Sequence, residues 1–241
     1  MSGILIYTNK EAQRNRFAVE KFKKNLDIAL VDEQYRGPAD FVINRTNDYR
    51  IAEYYENKGI RVFNPSGLSK IANDKQACYT FMQEYGIPIM PVNYQGVPAV
   101  KKLINGHGGR EVTMIHTPEP FEKNYVYQMP CDTPGKDLRV WVIGGEIVTA
   151  ILRESKTDFR SNYCLGGSAE VYHLSNDEKA LVHQIINLVE SDYIGIDFLF
   201  HNGSLVFNEM EDTVGARMVY GKTDIDILTL YCDYIKKELN L

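Results

Sequence analysis

Residues 193–217 constrain this chain more than any other stretch. Two short apolar runs, 194–200 and 205–208, flank His201-Asn202-Gly203-Ser204, and an Asn-Gly pair between strand-like runs is a strong local hairpin signal. Strand alternation places Phe207, Glu209 and Glu211 on one face, and pairing across the turn brings Asp197 beside them. Carboxylates on neighbouring strands repel unless a cation lies between them. Oxygen donors with no nearby Cys or His favour magnesium, which commonly binds through a few carboxylates together with substrate phosphates. The alternative is a solvated hairpin whose acidic residues face water, and the hairpin by itself leaves both open.

The rest of the chain sets the context. Its 241 residues can bury a substantial core and leave room for two or three subdomains. The formal net charge of −5 argues against broad attraction to nucleic acid or to an anionic membrane, while a local basic pocket for phosphates remains compatible with it. The N-terminal apolar run is too short for a signal peptide, and no stretch approaches a membrane span. Cys78, Cys131, Cys164 and Cys232 have neither a CxxC nor a zinc spacing, so free thiols in a reducing cytoplasm are expected.

In chain order, residues 3–8 read as a buried strand and 10–25 as a helix. Further strands follow at 28–31, 41–44 and 61–63, with a helix at about 48–58 ended by Gly59. This alternation predicts a small parallel βαβ layer. Its polar ends, Asn44-Arg45-Thr46 and Asn64-Pro65-Ser66, fall at carboxyl ends of strands, where ligands of open α/β sheets sit. Residues 67–85 form a helical stretch restarted by Asn73-Asp74, and 91–98 is a loop or edge segment. A strand with two lysines, Lys101 and Lys102, then leads into Asn105-Gly106-His107-Gly108-Gly109 and a return strand ending at Ile115. Glycines let backbone amides approach an anion, and an adjacent lysine neutralises phosphate charge; a plain turn is the alternative. On the strand from 137, Asp137, Arg139 and Trp141 share a face. Arg153, Arg160 and the glycines at 166–167 suit an anion-binding loop. Ser175-Asn176-Asp177-Glu178 is a capping box, and a final apolar helix covers about 224–239.

From about Asn64 to Gly215 this order of parts resembles the ATP-grasp superfamily, most closely its RimK-like carboxylate–amine ligases. Asn73-Asp74-Lys75 resembles the first ATP-contacting lysine, and Val100-Lys101 the second. Tyr127-Gln128-Met129-Pro130 falls at the hinge strand that reads adenine, and Lys136-Asp137-Leu138-Arg139-Val140 is similar to the family's Gly-x-Asp-Ile-Arg-Val strand. Asp158-Phe159-Arg160-Ser161-Asn162 is similar to its Asp-Phe-Arg-Ser-Asn segment. Gly195-Ile196-Asp197 and Asn208-Glu209-Met210-Glu211 sit where its magnesium ligands occur, although Glu211 stands where the family has an amide and Asp212-Thr213-Val214-Gly215 where it has Ser-Pro-Gly.

The resemblance implies an α/β (α+β) ATP-grasp fold: a small N-terminal parallel layer (1–66), a subdomain with the glycine-rich loop (67–130) and one with the magnesium hairpin (131–241), the last two clamping ATP. It implies ATP contacts from Lys75, Lys101, His107, Gly108, Gly109, Gln128, Met129, Pro130, Asp137 and Arg139. Arg139, Arg153, Arg160 and Asn162 are its catalytic candidates, and Asp197, Glu209 and Glu211 hold magnesium, expected as two ions with manganese as a substitute. The implied reaction joins a carboxylate to the amine of an amino acid or peptide through an acyl phosphate, releasing ADP and phosphate. A nucleotide-binding module without turnover, favoured by Glu211, and a ligase with a thiol or other non-amine acceptor are the alternatives. Nucleic acid and membrane are not expected partners; the apolar last helix suggests a homodimer.

Overall fold

The computed structural model describes residues 2–109, 111–161 and 167–241; Asn162, Cys164 and Gly166, named above, lie outside them. The chain opens with four parallel strands, β1 (Gly3–Ile6), β2 (Ile28–Val31), β3 (Phe41–Asn44) and β4 (Arg61–Phe63), ordered β2-β1-β3-β4. Every residue of β1 and β3 is buried, as continuous apolar runs covered on both faces require. Ile4, Ile6 and Val42 pack on α3 (Tyr49–Glu56); Leu5, Phe41 and Ile43 face the other way, into a core shared with α2 (Arg16–Asn25) and α8 (Ile227–Glu238).

The single helix expected over 10–25 is two, α1 (Asn9–Arg14) and α2. Asn15 breaks it: beside the helical bond of its backbone N–H to the Glu11 carbonyl, its side-chain amide donates to the same carbonyl at 2.9 Å, a local alternative to continuing the helix. The stretch 67–85 is likewise α4 (Ser66–Ala72) and α5 (Lys75–Glu84), restarted by the Asp74 carboxylate, which accepts the Ala77 N–H at 2.8 Å. The short helix α7 (Arg217–Lys222) is absent from the sequence reading, because six residues carry too little periodicity to register.

Two antiparallel sheets complete the fold. β5 (Ala99–Leu103), β6 (Val112–Ile115) and β7 (Tyr125–Gln128) are ordered β6-β5-β7. β8 (Lys136–Ile143), β9 (Glu146–Glu154), β10 (Ser168–Val171), β11 (Tyr193–His201) and β12 (Ser204–Glu211) are ordered β10-β9-β8-β11-β12. Asn202 and Gly203, at φ 51° and 75°, make the hairpin turn that the Asn-Gly pair signals. One face of the larger sheet, with Leu138, Val140, Ile194, Ile196 and Phe198, packs on α5 and on α6 (Asn176–Ile186), which the capping box starts. The opposite face carries Asp137, Arg139 and Trp141. The apolar stripe of α8 that suggested a homodimer is spent inside the chain, where Leu228, Tyr231 and Ile235 join Phe22, Trp141 and Tyr193 in one core.

Asn64 proves to be a structural splint. Its amide nitrogen donates to the carbonyls of Tyr193 and Asp212, both at 2.7 Å, and its Oδ1 accepts from the N–H groups of Asp192 (2.7 Å) and Tyr193 (3.0 Å). The parallel layer is thereby tied to both strands of the hairpin. Beside it, burial pushes the Asp192 carboxyl up to about 6, against the pull of Arg61 at 2.5 Å and the Tyr234 hydroxyl at 2.8 Å. Its Oδ2 has no hydrogen-bond partner. A raised folded-state value means that this group's stabilising contribution is full below the unfolded value of 3.8 and is lost as pH rises through about 6. Asp192→Asn is therefore expected to gain on the parent across that window, by up to about 3 kcal/mol at pH 8. Urea unfolding of both proteins at pH 4.5 and pH 8 checks this; a pH-independent difference would refute it.

Candidate active site

The two antiparallel sheets face each other across a cleft of about 980 Å³, closed at one end by the carboxyl ends of β1 and β3. Register decides which side chains reach it. On the smaller sheet Gln128, Val100 and Met114 form one cross-strand row, with Lys102 opposite Val112 in the next, and all five line the cleft. On the larger sheet Arg139, Asp197 and Glu209 lie in one row, and Trp141, Gly195 and Glu211 in its neighbour. Gly195 is required there, since a Cβ would stand 2.6 Å from the Val214 side chain.

Lys75, Gln128, Met129, Pro130, Asp137, Arg139, Arg153, Arg160, Asp197, Glu209 and Glu211 all line this cleft, and His107, Gly108 and Gly109 reach it from the loop between β5 and β6. Asn162 lies outside the described residues. Lys101 does not join them. It faces the other side of β5, where Glu119 (2.7 Å) and Glu122 accept from its ammonium and raise its pKa. Consecutive strand residues point to opposite faces, so the neighbouring Lys102 takes the cleft position expected for Lys101. It is 7% exposed and donates to Asn208 Oδ1 at 2.7 Å and the Tyr79 hydroxyl at 3.1 Å, both neutral. Burial lowers its pKa to about 8.

Asn208 reaches the cleft because a β-bulge interrupts the hairpin: Phe198 pairs with Phe207 but Asp197 with Glu209, leaving Asn208 as the extra residue. Strict alternation, which put Phe207 on the face of Glu209, fails at that point, and Phe207 is buried in the core behind the sheet.

The carboxylates are held by cations belonging to the chain. Arg139 donates Nε and Nη2 to the two Asp197 oxygens at 2.6 Å each, and Nη1 and Nη2 to Glu211 at 2.8 and 2.7 Å. Arg153 grips both Asp137 oxygens at 2.6 Å and reaches Asp197 Oδ2 at 2.9 Å. Burial works to raise the Asp197 carboxyl, yet Arg139 and Arg153 hold it down to about 2. Burial raises Glu211 in spite of Arg139. Lys75 stands 3.0 Å from Glu209 and donates to the Gly106 carbonyl, which fixes the glycine-rich loop to the start of α5. Arg160 pairs with Asp158 at 2.7 Å and donates to the Gly109 carbonyl at 3.3 Å, tying that segment to the same loop.

The expected convergence of three bare carboxylates is thus replaced by a salt-bridge network. Among the described residues no three acidic, His or Cys side chains gather as a metal cluster. The oxygen-only donor set still has the right chemistry for a hard divalent cation, which would compete there with Arg139 and Lys75.

The sequence profile of the RimK-like ATP-grasp domain matches residues 68–235, well over half of the chain. The chain belongs to the RimK-like ATP-grasp family. A probable alpha-L-glutamate ligase of Haemophilus ducreyi is 26% identical over 211 residues, 77% of this chain and 69% of that protein. One from Maridesulfovibrio salexigens is 30% identical over 154 residues, and the match spans about half, 51%, of its length. The fold matches the ATP-grasp ligase PsnB, solved with a minimal precursor, at a TM-score of 0.73 with 14% identity over 99% of both chains.

Proposed function

We propose that this ATP-dependent ligase activates a substrate carboxylate as an acyl phosphate and passes the acyl group to the amine of an amino acid or peptide. A carboxylate oxygen bonds to the γ-phosphorus of ATP as the bond to ADP breaks. The amine then attacks the acyl carbon, phosphate leaves and the nitrogen gives up a proton. The observation that carries this reading is the cleft between two antiparallel sheets in which Lys102 hydrogen-bonds to neutral groups and forms no ion pair among the described residues, so that its charge can meet a phosphate. Phosphoryl transfer asks for positioning and charge neutralisation more than for a protein nucleophile. Lys75 and Arg160 anchor the loop that would cover the phosphates, and Gln128, Met129 and Pro130 offer an edge for adenine. Magnesium, when bound, would take its protein oxygens from Asp197, Glu209 and Glu211 and would neutralise triphosphate charge.

Pairing of Glu211 with Arg139 favours a second reading, nucleotide binding without turnover. ADP release over a panel of carboxylic acids and amines separates the two. Under either reading Mg-ATP at a hundredfold excess over its dissociation constant is expected to stabilise the fold by about 3 kcal/mol. A melting curve indifferent to Mg-ATP would overturn both.

A further inference from the structure

Lys75, Lys101 and Lys102 differ in what holds them. Lys101 is matched by Glu119 and Glu122, and Lys75 by Glu209 at 3.0 Å. Lys102 has the Asn208 Oδ1 at 2.7 Å and the hydroxyl of the buried Tyr79 at 3.1 Å. An ammonium carries three N–H donors. Two are spent on these neutral groups, and among the described residues no hydrogen bond takes the third. Asn208 owes its place to the bulge. Successive strand residues point to opposite faces, yet Asn208 and Glu209 both line the cleft, because the register slips between Phe207 and Glu209. An amide and a carboxylate thus stand side by side on β12, and each takes one lysine: Asn208 takes Lys102 from β5, and Glu209 takes Lys75 from α5.

On the ligase reading above, we propose that Asn208 is a positioning residue for phosphate binding. Its amide, carried into the cleft by the bulge, fixes the Lys102 ammonium from the facing sheet without neutralising it, so that the third N–H and the whole charge go to the phosphates of the nucleotide. A lysine has a long, flexible stem, and ordering it at the moment of binding costs affinity; holding it beforehand removes that cost. A carboxylate in the same place would hold the ammonium as firmly but spend its charge, as Glu119 and Glu122 do with Lys101. The bulge therefore places a neutral acceptor where a second acidic side chain would compete with the ligand.

The test measures binding of inorganic tripolyphosphate, of adenosine and of ATP by calorimetry, with and without magnesium. It uses the parent, Asn208→Leu and Asn208→Asp, and each variant again in a Lys102→Met background. Asn208→Leu is expected to weaken tripolyphosphate and ATP by about tenfold and to leave adenosine affinity as in the parent. Without magnesium, Asn208→Asp, an isostere that still grips the ammonium, should weaken both phosphate probes at least as much, because the ion pair takes the charge. In the Lys102→Met background Asn208→Leu should change tripolyphosphate affinity by less than about twofold, since nothing is left to position. Parent-like tripolyphosphate binding by Asn208→Leu, or by Asn208→Asp should the leucine variant not fold, overturns the proposal and leaves the ligase reading intact. A tenfold loss that persists in the Lys102→Met background means that Asn208 meets the phosphates directly, and equal losses for adenosine and tripolyphosphate mean a purely structural role; either outcome overturns the positioning role. A parent that binds neither ATP nor tripolyphosphate sinks the nucleotide reading itself, and the positioning role with it.

Discussion

Replacing Lys102 by Met is expected to lower ATP-dependent turnover by about a hundredfold or more, whereas Lys101→Ala should leave turnover close to that of the parent. The asymmetry follows from the pleat of β5. Lys102 stands in the cleft, and in a water-excluded site one preorganised charge aimed at a transferring group is commonly worth about 10²–10³ in rate. Lys101 spends its charge on Glu119 and Glu122 on the opposite face. Met fills the volume of the lysine stem and removes a buried ammonium whose partners, Asn208 and Tyr79, are neutral. The fold should survive, since replacing a desolvated charge by an apolar group of similar size is often neutral or stabilising. The pH dependence provides a second check. With its pKa near 8, Lys102 loses its charge as pH rises through that value. Nucleotide affinity of the parent should weaken across that range, and the Lys102→Met profile should be flat there. A hundredfold loss from Lys101→Ala with none from Lys102→Met would show that the assignment of faces is wrong.

That pair of lysines marks where the sequence stops being legible. Element order, the Asn202-Gly203 turn, the Asp74 and Ser175 caps and the shared face of Asp137, Arg139 and Trp141 follow from spacing and turn chemistry, which are local. Which face of β5 meets the cleft is a matter of pairing with β6 and β7, and adjacent lysines offer no clue in themselves. Val100, apolar and two residues before Lys102, was the available signal, because residues two apart share a face. The bulge at Asn208 is similarly silent in sequence, and it is what carries an amide into the cleft to hold Lys102. Within its own sequence the carboxylate hairpin shows only its own charges. The arginines that neutralise it come from β8 and β9, brought alongside by sheet register. Local patterning could say that these carboxylates need a cation; it could not say that the chain supplies one.

Arg139→Met is expected to be the most destabilising single change in the cleft, by about 3–5 kcal/mol at pH 7, the range for removing one partner of a buried ion pair. The guanidinium makes two hydrogen bonds to Asp197 and two to Glu211. Without it, Asp197 keeps Arg153, and Glu211 keeps none of the ion pairs seen here. The lost stability should shrink as pH falls: carboxyls left buried without a cation have folded-state values raised above the unfolded ones, and protonation removes their charge. Adding Glu211→Gln to Arg139→Met should recover part of the loss, with a coupling of at least about 1 kcal/mol in the double-mutant cycle. Arg139→Lys should recover less than half, because a single ammonium cannot reproduce a planar fork gripping two carboxylates. The same variant asks whether these carboxylates can hold a metal. Once Arg139 is gone, Asp197 and Glu211 no longer share a competing cation between strands, so magnesium without nucleotide should raise the melting temperature of Arg139→Met more than that of the parent. An equal response in both proteins would make Asp197 and Glu211 counter-ions of Arg139 alone, and would leave Glu209 as the one carboxylate of the hairpin available to a metal.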